Sequence, residues 1–195
     1  MTVSSIRKLA LGVAVIAGSA LAVEPADAAP LVREHYSFTD SGSFDDCGFQ
    51  IDWTATGGGV FMLKEGRRGD PTPYLFDNYE YHNVFTNPAN GNWFTRDGNG
   101  LYKDLHIVNI EGTVYRFESV ENGQPFVISD SDGNVVIRDR GQLRTGFIVD
   151  TKGDDDLEND EFIEGSDVLL ADHGSHPQWH RTQDEYCAIV NDLLQ

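Results

Sequence analysis

Three histidines near the end of the chain have the spacing that most resembles a metal site. His173, His176 and His180 follow the pattern H-x-x-H-x-x-x-H. Imidazole nitrogens are common ligands of zinc and copper, so three of them in one connection could surround such an ion. Pro177 interrupts any helix that would align His176 with His180. The cluster is therefore a candidate metal site, and exposed loop histidines are the alternative.

Six aromatic residues on neighbouring predicted strands are candidates for lining a ligand cavity. They are Trp53, Tyr79, Tyr81, Trp93, Phe94 and Tyr102. If their side chains share the inner face of a sheet, they line an apolar cavity whose hydroxyl and indole groups orient a ligand. The alternative is that they form the packed core of a small barrel. The histidines outside the cluster, at 35, 82 and 106, fall in strand-like segments and are typical of barrel-wall residues.

No catalytic motif can be assigned from the sequence. None of the serines lies in a G-x-S-x-G turn, and an acidic chain offers too many carboxylate pairs for any one to indicate glycoside chemistry. In the acidic run after Val149, an EF-hand loop starting at Asp154 would have Gly165 where its final Glu belongs. A looser cation site at Asp154, Asp156 and Glu158 stays open beside a solvated hairpin tip. We expect binding rather than catalysis, and no cofactor.

The charge of the chain limits its partners. It has 14 basic and 32 acidic residues among 195, which gives a formal net charge of -18. Such a field repels phosphate backbones and anionic lipid headgroups, so we expect neither nucleic-acid nor membrane-surface binding. The length fits one domain, and we expect a monomer.

The first 28 residues have the build of a secretory signal. Arg7 and Lys8 precede an apolar run over residues 9–23, and Ala26 and Ala28 form a small-x-small cleavage site. Residues 29–195 would then be the mature secreted domain, and an uncleaved anchor is the alternative. In an oxidising compartment Cys47 and Cys187 are predicted to form a disulfide. Two free thiols are the other possibility, but neither cysteine lies in a C-x-x-C motif.

The clearest strand pattern lies in residues 123–149. Phe126 and Ile128 alternate with polar neighbours before residues 130–134, and Val135 and Ile137 do so after them, which predicts a hairpin whose turn contains an Asp-Gly step. The glycines at 57–59, at 98 and 100, and at 123 are interpreted as further strand breaks or turns. Turn signals every eight to twelve residues predict an antiparallel β-barrel of about eight strands.

The end of the chain changes to a helical pattern. Thr182 and Glu185 form a capping box, and apolar residues follow at helical spacing, which predicts one amphipathic helix over residues 182–194. We expect this helix to lie on the outside or across one mouth of the barrel, attached through Cys187. The fold class is therefore all-β with one C-terminal helix.

Three segments resemble a group of uncharacterised secreted actinobacterial proteins: residues 87–100, 124–140 and 186–190. The resemblance covers most of the mature chain. In architecture these proteins are similar to lipocalin-like and allene-oxide-cyclase or dirigent-like barrels, which hold small hydrophobic molecules and sometimes guide cyclisation or coupling without a cofactor. No catalytic motif of those enzymes matches this chain, so the resemblance implies no functional residue.

Three functions follow as hypotheses. The leading one is non-catalytic binding of a small hydrophobic or aromatic ligand in a barrel cavity. A cofactor-free cyclase or isomerase is the second, and it requires convergent polar groups in that cavity. The third is an extracellular surface-interaction module, which would present an exposed aromatic patch around Trp93 or Trp179.

Overall fold

The computed structural model describes residues 30–66, 72–154 and 159–195. The strands and the helix in these residues are β1 (Val32–Phe44), β2 (Ile51–Lys64), β3 (Tyr74–Thr86), β4 (Trp93–Glu111), β5 (Val114–Ser129), β6 (Val135–Asp150), β7 (Glu161–Phe162), β8 (Val168–Ser175) and α1 (Gln183–Leu194). The predicted signal segment and the acidic residues Asp156 and Glu158 lie outside the described residues.

The strands form one antiparallel meander that curls into a half-barrel. The order is β1 to β7 along the chain, and β8 pairs with β6 beside β7. This confirms the all-β, barrel-like fold of about eight strands with one C-terminal helix. In the described residues no ladder joins β1 to β8, because the chain returns along the β6 edge in two short strands.

The sheet has an inner face, which carries α1 and the apolar core, and an opposite outer face. A first core lies under α1 and contains Ile51, Phe85 and Phe94, against which Tyr186 and Val190 of the helix pack. A second core lies farther along the same face and is built from Tyr74, Ile107, Phe117, Phe147 and Val149. Each fully buried side chain of this size contributes about 1.5–3 kcal/mol relative to exposure, so both cores stabilise the curl.

The C-terminal helix begins as its sequence predicts. Thr182 is the N-cap, and its hydroxyl oxygen accepts a hydrogen bond from the Glu185 amide at 3.3 Å. The Glu185 carboxylate accepts from the Thr182 amide at 2.8 Å, which completes the capping box. The predicted disulfide between Cys47 and Cys187 is also present and attaches the helix to the connection after β1.

The hairpin between β5 and β6 is confirmed, and Asp130 holds its turn together. The Asp130 carboxylate accepts from the amides of Asp132 at 3.0 Å and Asn134 at 2.8 Å. Gly133 has a φ of 84°, which a residue with a Cβ adopts only with strain. The Asp-Gly signal therefore predicts this turn for the right physical reason.

Three other glycine-rich stretches were wrongly predicted to be breaks or turns. Residues 57–59 lie inside β2, Gly98 and Gly100 inside β4, and Gly123 inside β5. The reason is visible at Gly98, where a Cβ would lie 2.5 Å from Cζ of Tyr81 on the neighbouring strand. A strand glycine can make room for a cross-strand ring as well as supply a turn, so the strands are longer than predicted.

Candidate functional site

One row of paired residues crosses the sheet from β1 to β8 and consists mainly of glycine. Its members, each paired with the next, are Tyr36, Gly59, Tyr79, Gly100, Gly123, Gly141 and Gly174. Gly123 on β5 and Gly141 on β6, which pair with each other, have positive φ angles of 138° and 125°. A Cβ on Gly141 would lie 2.8 Å from Cα of Gly174. No larger residue fits there, so the sheet can bend sharply along this glycine row.

A groove of about 660 Å³ lies over the glycine row and is open to solvent. The tyrosines of the row direct their side chains to the inner face, so the outer face above the row is mostly backbone. The lining residues are His35, Tyr36, Ser37, Gly57, Gly58, Gly59, Val60, Asn78, Tyr79, Glu80, Asn99, Gly100, Leu101 and Asn122. Five strands contribute, and at about 4.8 Å between strands the groove spans about 19 Å.

The two rims of the groove carry polar side chains with free hydrogen-bonding groups. One rim is the paired row of His35, Val60, Asn78, Leu101 and Asn122, and the other is Ser37, Gly58, Glu80 and Asn99. Within the described part of the chain, the side chains of Ser37, Asn78, Glu80 and Asn99 make no hydrogen bond or ion pair. The amide oxygen of Asn122 accepts from Gln142 Nε2 at 2.7 Å. Apart from that oxygen, the side-chain donors and acceptors of the groove named here are available to a ligand.

A polar band of tyrosines and carboxyl groups lies on the inner face, directly beneath the groove. The Tyr36 hydroxyl donates to Asp77 at 2.9 Å, and the Tyr79 hydroxyl donates to Glu121. The Tyr102 hydroxyl lies 2.7 Å from Ser119 Oγ. These pairs separate the two apolar cores and satisfy polar groups that would otherwise be buried alone.

The carboxyl groups of the polar band have raised pKa values. Burial raises the pKa of Asp77 and of Glu121, while the hydrogen bonds from Tyr36 and Tyr79 partly oppose the increase. Burial and the neighbouring Glu121 carboxylate also raise the pKa of Tyr79. A carboxyl group that keeps its proton more readily than usual can donate hydrogen bonds or act as an acid.

The predicted histidine cluster is only partly assembled. His176 is buried and its Nε2 lies 3.4 Å from Asp172 Oδ1, while exposed His180 places Nε2 at 2.7 Å from Asp172 Oδ2. His173 is exposed on β8, opposite Gln142 in the ladder, and contacts neither of the other two through a hydrogen bond or ion pair in the described chain. Among the described residues, no group of three or more histidine, cysteine or acidic side chains is placed to hold a metal ion. A metal site formed by these three histidines stays a prediction.

The six predicted cavity residues do not all meet at one place. Phe94 belongs to the core under α1, and Trp53 packs against that core. Tyr79 and Tyr81 stack with ring centroids 6.2 Å apart. Tyr102 binds Ser119 as described above, and Trp93 is 40% exposed on the outer face. Of the six only Tyr79 is part of the groove lining, and a cavity lined by all six stays a prediction.

The rim residues were not singled out by the sequence. The polar rim residues are exposed or half-buried and lie on four different strands, and nothing about each one alone indicates a site. The available signal is a spacing of two, shared by Gly57 and Gly59, by Tyr79 and Tyr81, and by Gly98 and Gly100. Matching spacings indicate rings lying over glycines on both neighbouring strands, and the residues between them, Gly58, Glu80 and Asn99, then face the opposite side of the sheet.

Comparison with protein family models, with curated proteins and with solved structures finds no match for this chain. The resemblance to secreted actinobacterial proteins and to dirigent-like or lipocalin-like barrels therefore stays a prediction. The described part of the chain contains no helix that is long and apolar enough to cross a membrane.

Proposed function

We propose that this chain is an exported protein that holds a small organic ligand, without covalent chemistry, in the groove of the outer face. The observation that carries the proposal is the groove itself. Its volume of about 660 Å³ lies in the range of known ligand sites, about 300–1,000 Å³, and its rims present unpaired polar groups. The disulfide between Cys47 and Cys187 supports export, because such bonds persist in oxidising compartments.

The groove is a better candidate than the aromatic interior, because the interior groups already have partners. The Tyr81 hydroxyl donates to the carbonyl oxygen of Pro125 at 2.6 Å. Tyr79 and Tyr102 are likewise bound to Glu121 and Ser119. Phe94 is fully buried. A ligand on the inner face would have to break these contacts, whereas one in the groove replaces only water.

A pair of matched serines on β1 tests the location. Ser37 lines the groove, and Ser41 is exposed farther along the same face of the same strand but outside the lining. The purified protein is screened by native mass spectrometry and thermal shift against a library of small organic compounds. We expect Ser37→Trp to abolish binding of any compound found and Ser41→Trp to leave it unchanged. Equal binding by both variants would place the site elsewhere.

A cofactor-free isomerase or cyclase is a second candidate, and the pairing of Tyr79 with Glu121 favours it. A carboxyl group with a raised pKa next to a tyrosine is the arrangement that general acid catalysis uses. The test is to incubate the protein with an extract of small metabolites and to compare product masses. Catalysis would require the wild type to change the mixture and Glu121→Gln to change it far less; identical mixtures with and without protein would contradict it.

A further inference from the structure

The chemistry of the groove narrows the class of ligand it takes. We propose that the occupant is an uncharged, hydroxyl-rich oligomer, that is, an oligosaccharide, which lies across strands β1 to β5. This inference rests on the proposed function, since it names the ligand of the same groove.

The charge of the lining argues for a neutral ligand. No lysine or arginine is among the lining residues, and Glu80 contributes a carboxylate. An anionic ligand would find no counter-charge there and would meet the field of a chain with a net charge of -18. A polycation or a metal ion would find a single carboxylate, which is too few oxygen ligands for tight binding. A ligand without formal charge avoids both costs.

The polar groups on the rims match hydroxyl groups. Side-chain amides both donate and accept hydrogen bonds, as sugar hydroxyls do. Asn78 and Asn122 present amides on one rim, and Asn99 presents one on the other. A ligand with hydroxyls along both edges can bind both rims at once. A purely apolar ligand would instead remove water from these amides and leave them unpaired, which disfavours its binding.

The floor of the groove suits the apolar faces of sugar rings. Gly57, Gly58 and Gly59 leave backbone without side chains on this part of the floor, and Val60 and Leu101 place apolar groups on one rim. The C–H groups of a sugar ring can rest on such a surface while its hydroxyls reach the rims. At about 19 Å the groove is longer than one sugar ring, which favours an oligomer over a monosaccharide.

The test is titration calorimetry with a panel of defined probes. Uncharged gluco-, xylo-, malto- and N-acetylchito-oligosaccharides are compared with an anionic oligogalacturonate and with the neutral apolar dye Nile red. We expect at least one uncharged oligosaccharide to bind, with an affinity that rises with chain length until the groove is spanned. The oligogalacturonate and Nile red are expected not to bind.

Substitutions on the two rims then test the contacts. Asn78→Leu and Asn99→Leu each remove an exposed amide without changing the backbone, and each is expected to weaken oligosaccharide binding about 5-fold. Thr54→Leu places the same side chain on the outer face of β2 beyond the groove, and it is expected to leave the affinity unchanged. Ser37→Trp is expected to abolish binding.

These experiments distinguish failure of the oligosaccharide inference from failure of the groove as the binding site. If Nile red or the oligogalacturonate binds and Ser37→Trp blocks it, while no uncharged oligosaccharide binds, the groove is a ligand site and the oligosaccharide inference is overturned. If an oligosaccharide binds equally well to the wild type, Ser37→Trp and Asn78→Leu, the groove itself is not the site. If no probe binds the wild type, the oligosaccharide inference is overturned as well.

Discussion

Substituting Gly98 by alanine should destabilise the fold, although alanine is ordinarily the better residue inside a strand. Gly98 has no positive φ, so its backbone accepts any residue, and replacing glycine by alanine in a strand commonly gains about 0.5–1 kcal/mol. Here a Cβ would lie 2.5 Å from Cζ of Tyr81 and 2.7 Å from the carbonyl oxygen of Pro125. Ordinary carbon contacts are about 3.5–4.0 Å, so the ring must move by about 1 Å.

The magnitude follows from what that movement disrupts. Overpacking of this kind costs about 1–3 kcal/mol. The hydrogen bond from the Tyr81 hydroxyl to Pro125, at 2.6 Å, would lengthen or break, which costs about 1 kcal/mol more. After the intrinsic gain of about 0.5–1 kcal/mol is subtracted, we expect Gly98→Ala to lower the free energy of unfolding by about 1–3 kcal/mol.

Urea unfolding followed by tryptophan fluorescence measures this loss. A double-mutant cycle with Tyr81→Ala isolates the contribution of the ring, and we expect a coupling energy of about 1–2 kcal/mol, the remainder being due to the Pro125 carbonyl. A Gly98→Ala variant as stable as the wild type, or a coupling energy near zero, would refute the view that glycines in this sheet make room for cross-strand rings.

Three further predictions concern stability. Burial raises the folded-state pKa of Asp77, Glu121 and other inner carboxyl groups. These groups therefore bind protons more tightly in the folded than in the unfolded protein. The resulting stabilisation is fully present below the unfolded-state pKa, about 4, and is lost as the pH rises through the folded-state pKa values. The free energy of unfolding should therefore fall as the pH rises above about 4, and less steeply in Glu121→Gln; a rise instead would count against the assignment. Replacing Cys47 and Cys187 by serine should cost up to about 5 kcal/mol in urea unfolding, from the chain entropy of a 140-residue separation, and a loss below about 1 kcal/mol would show that the unfolded state is already restricted. Thr182→Ala should cost about 1 kcal/mol, measured by thermal unfolding, with Thr182→Ser, which keeps a capping hydroxyl, as the control.

The elements set by local rules were predictable from the sequence. The capping box at Thr182 and the Asp-Gly turn after Asp130 each depend on residues within a few positions of one another, so a local sequence pattern predicts them. The disulfide was predictable for a different reason, because a chain with only two cysteines and a predicted export signal offers a single intramolecular pair.

The long strands were not predictable in the same way. Glycine has two roles in a sheet, and only the partner across the ladder decides between them. Gly100 lies inside a strand because Tyr79 lies over it, but the two residues are separated by a connection whose length does not fix the register. Interpreting each glycine from its immediate neighbours therefore divided continuous strands into short ones.

The groove was missed for the same reason. Its rims become adjacent only when five strands pair in register, which brings His35 next to Val60 and Asn78 next to Leu101. Each aromatic residue could be proposed as a ligand contact from its own side-chain chemistry, without knowledge of its neighbours in the fold. Exposed asparagines have no such distinction, and a site built from them becomes visible only in the assembled sheet.

The polar band has a consequence for local unfolding. Because the band lies between the two apolar cores, strands β3 to β6 each take part in both, with one half packed under α1 and the other half against the second core. The two halves of one strand should therefore open with different free energies. Amide hydrogen exchange along β4 would show slow exchange near Phe94 and near Ile107, and faster exchange at the glycines between them. The unit of cooperative opening in this sheet would then be the core beneath a set of half-strands, not the individual strand or hairpin.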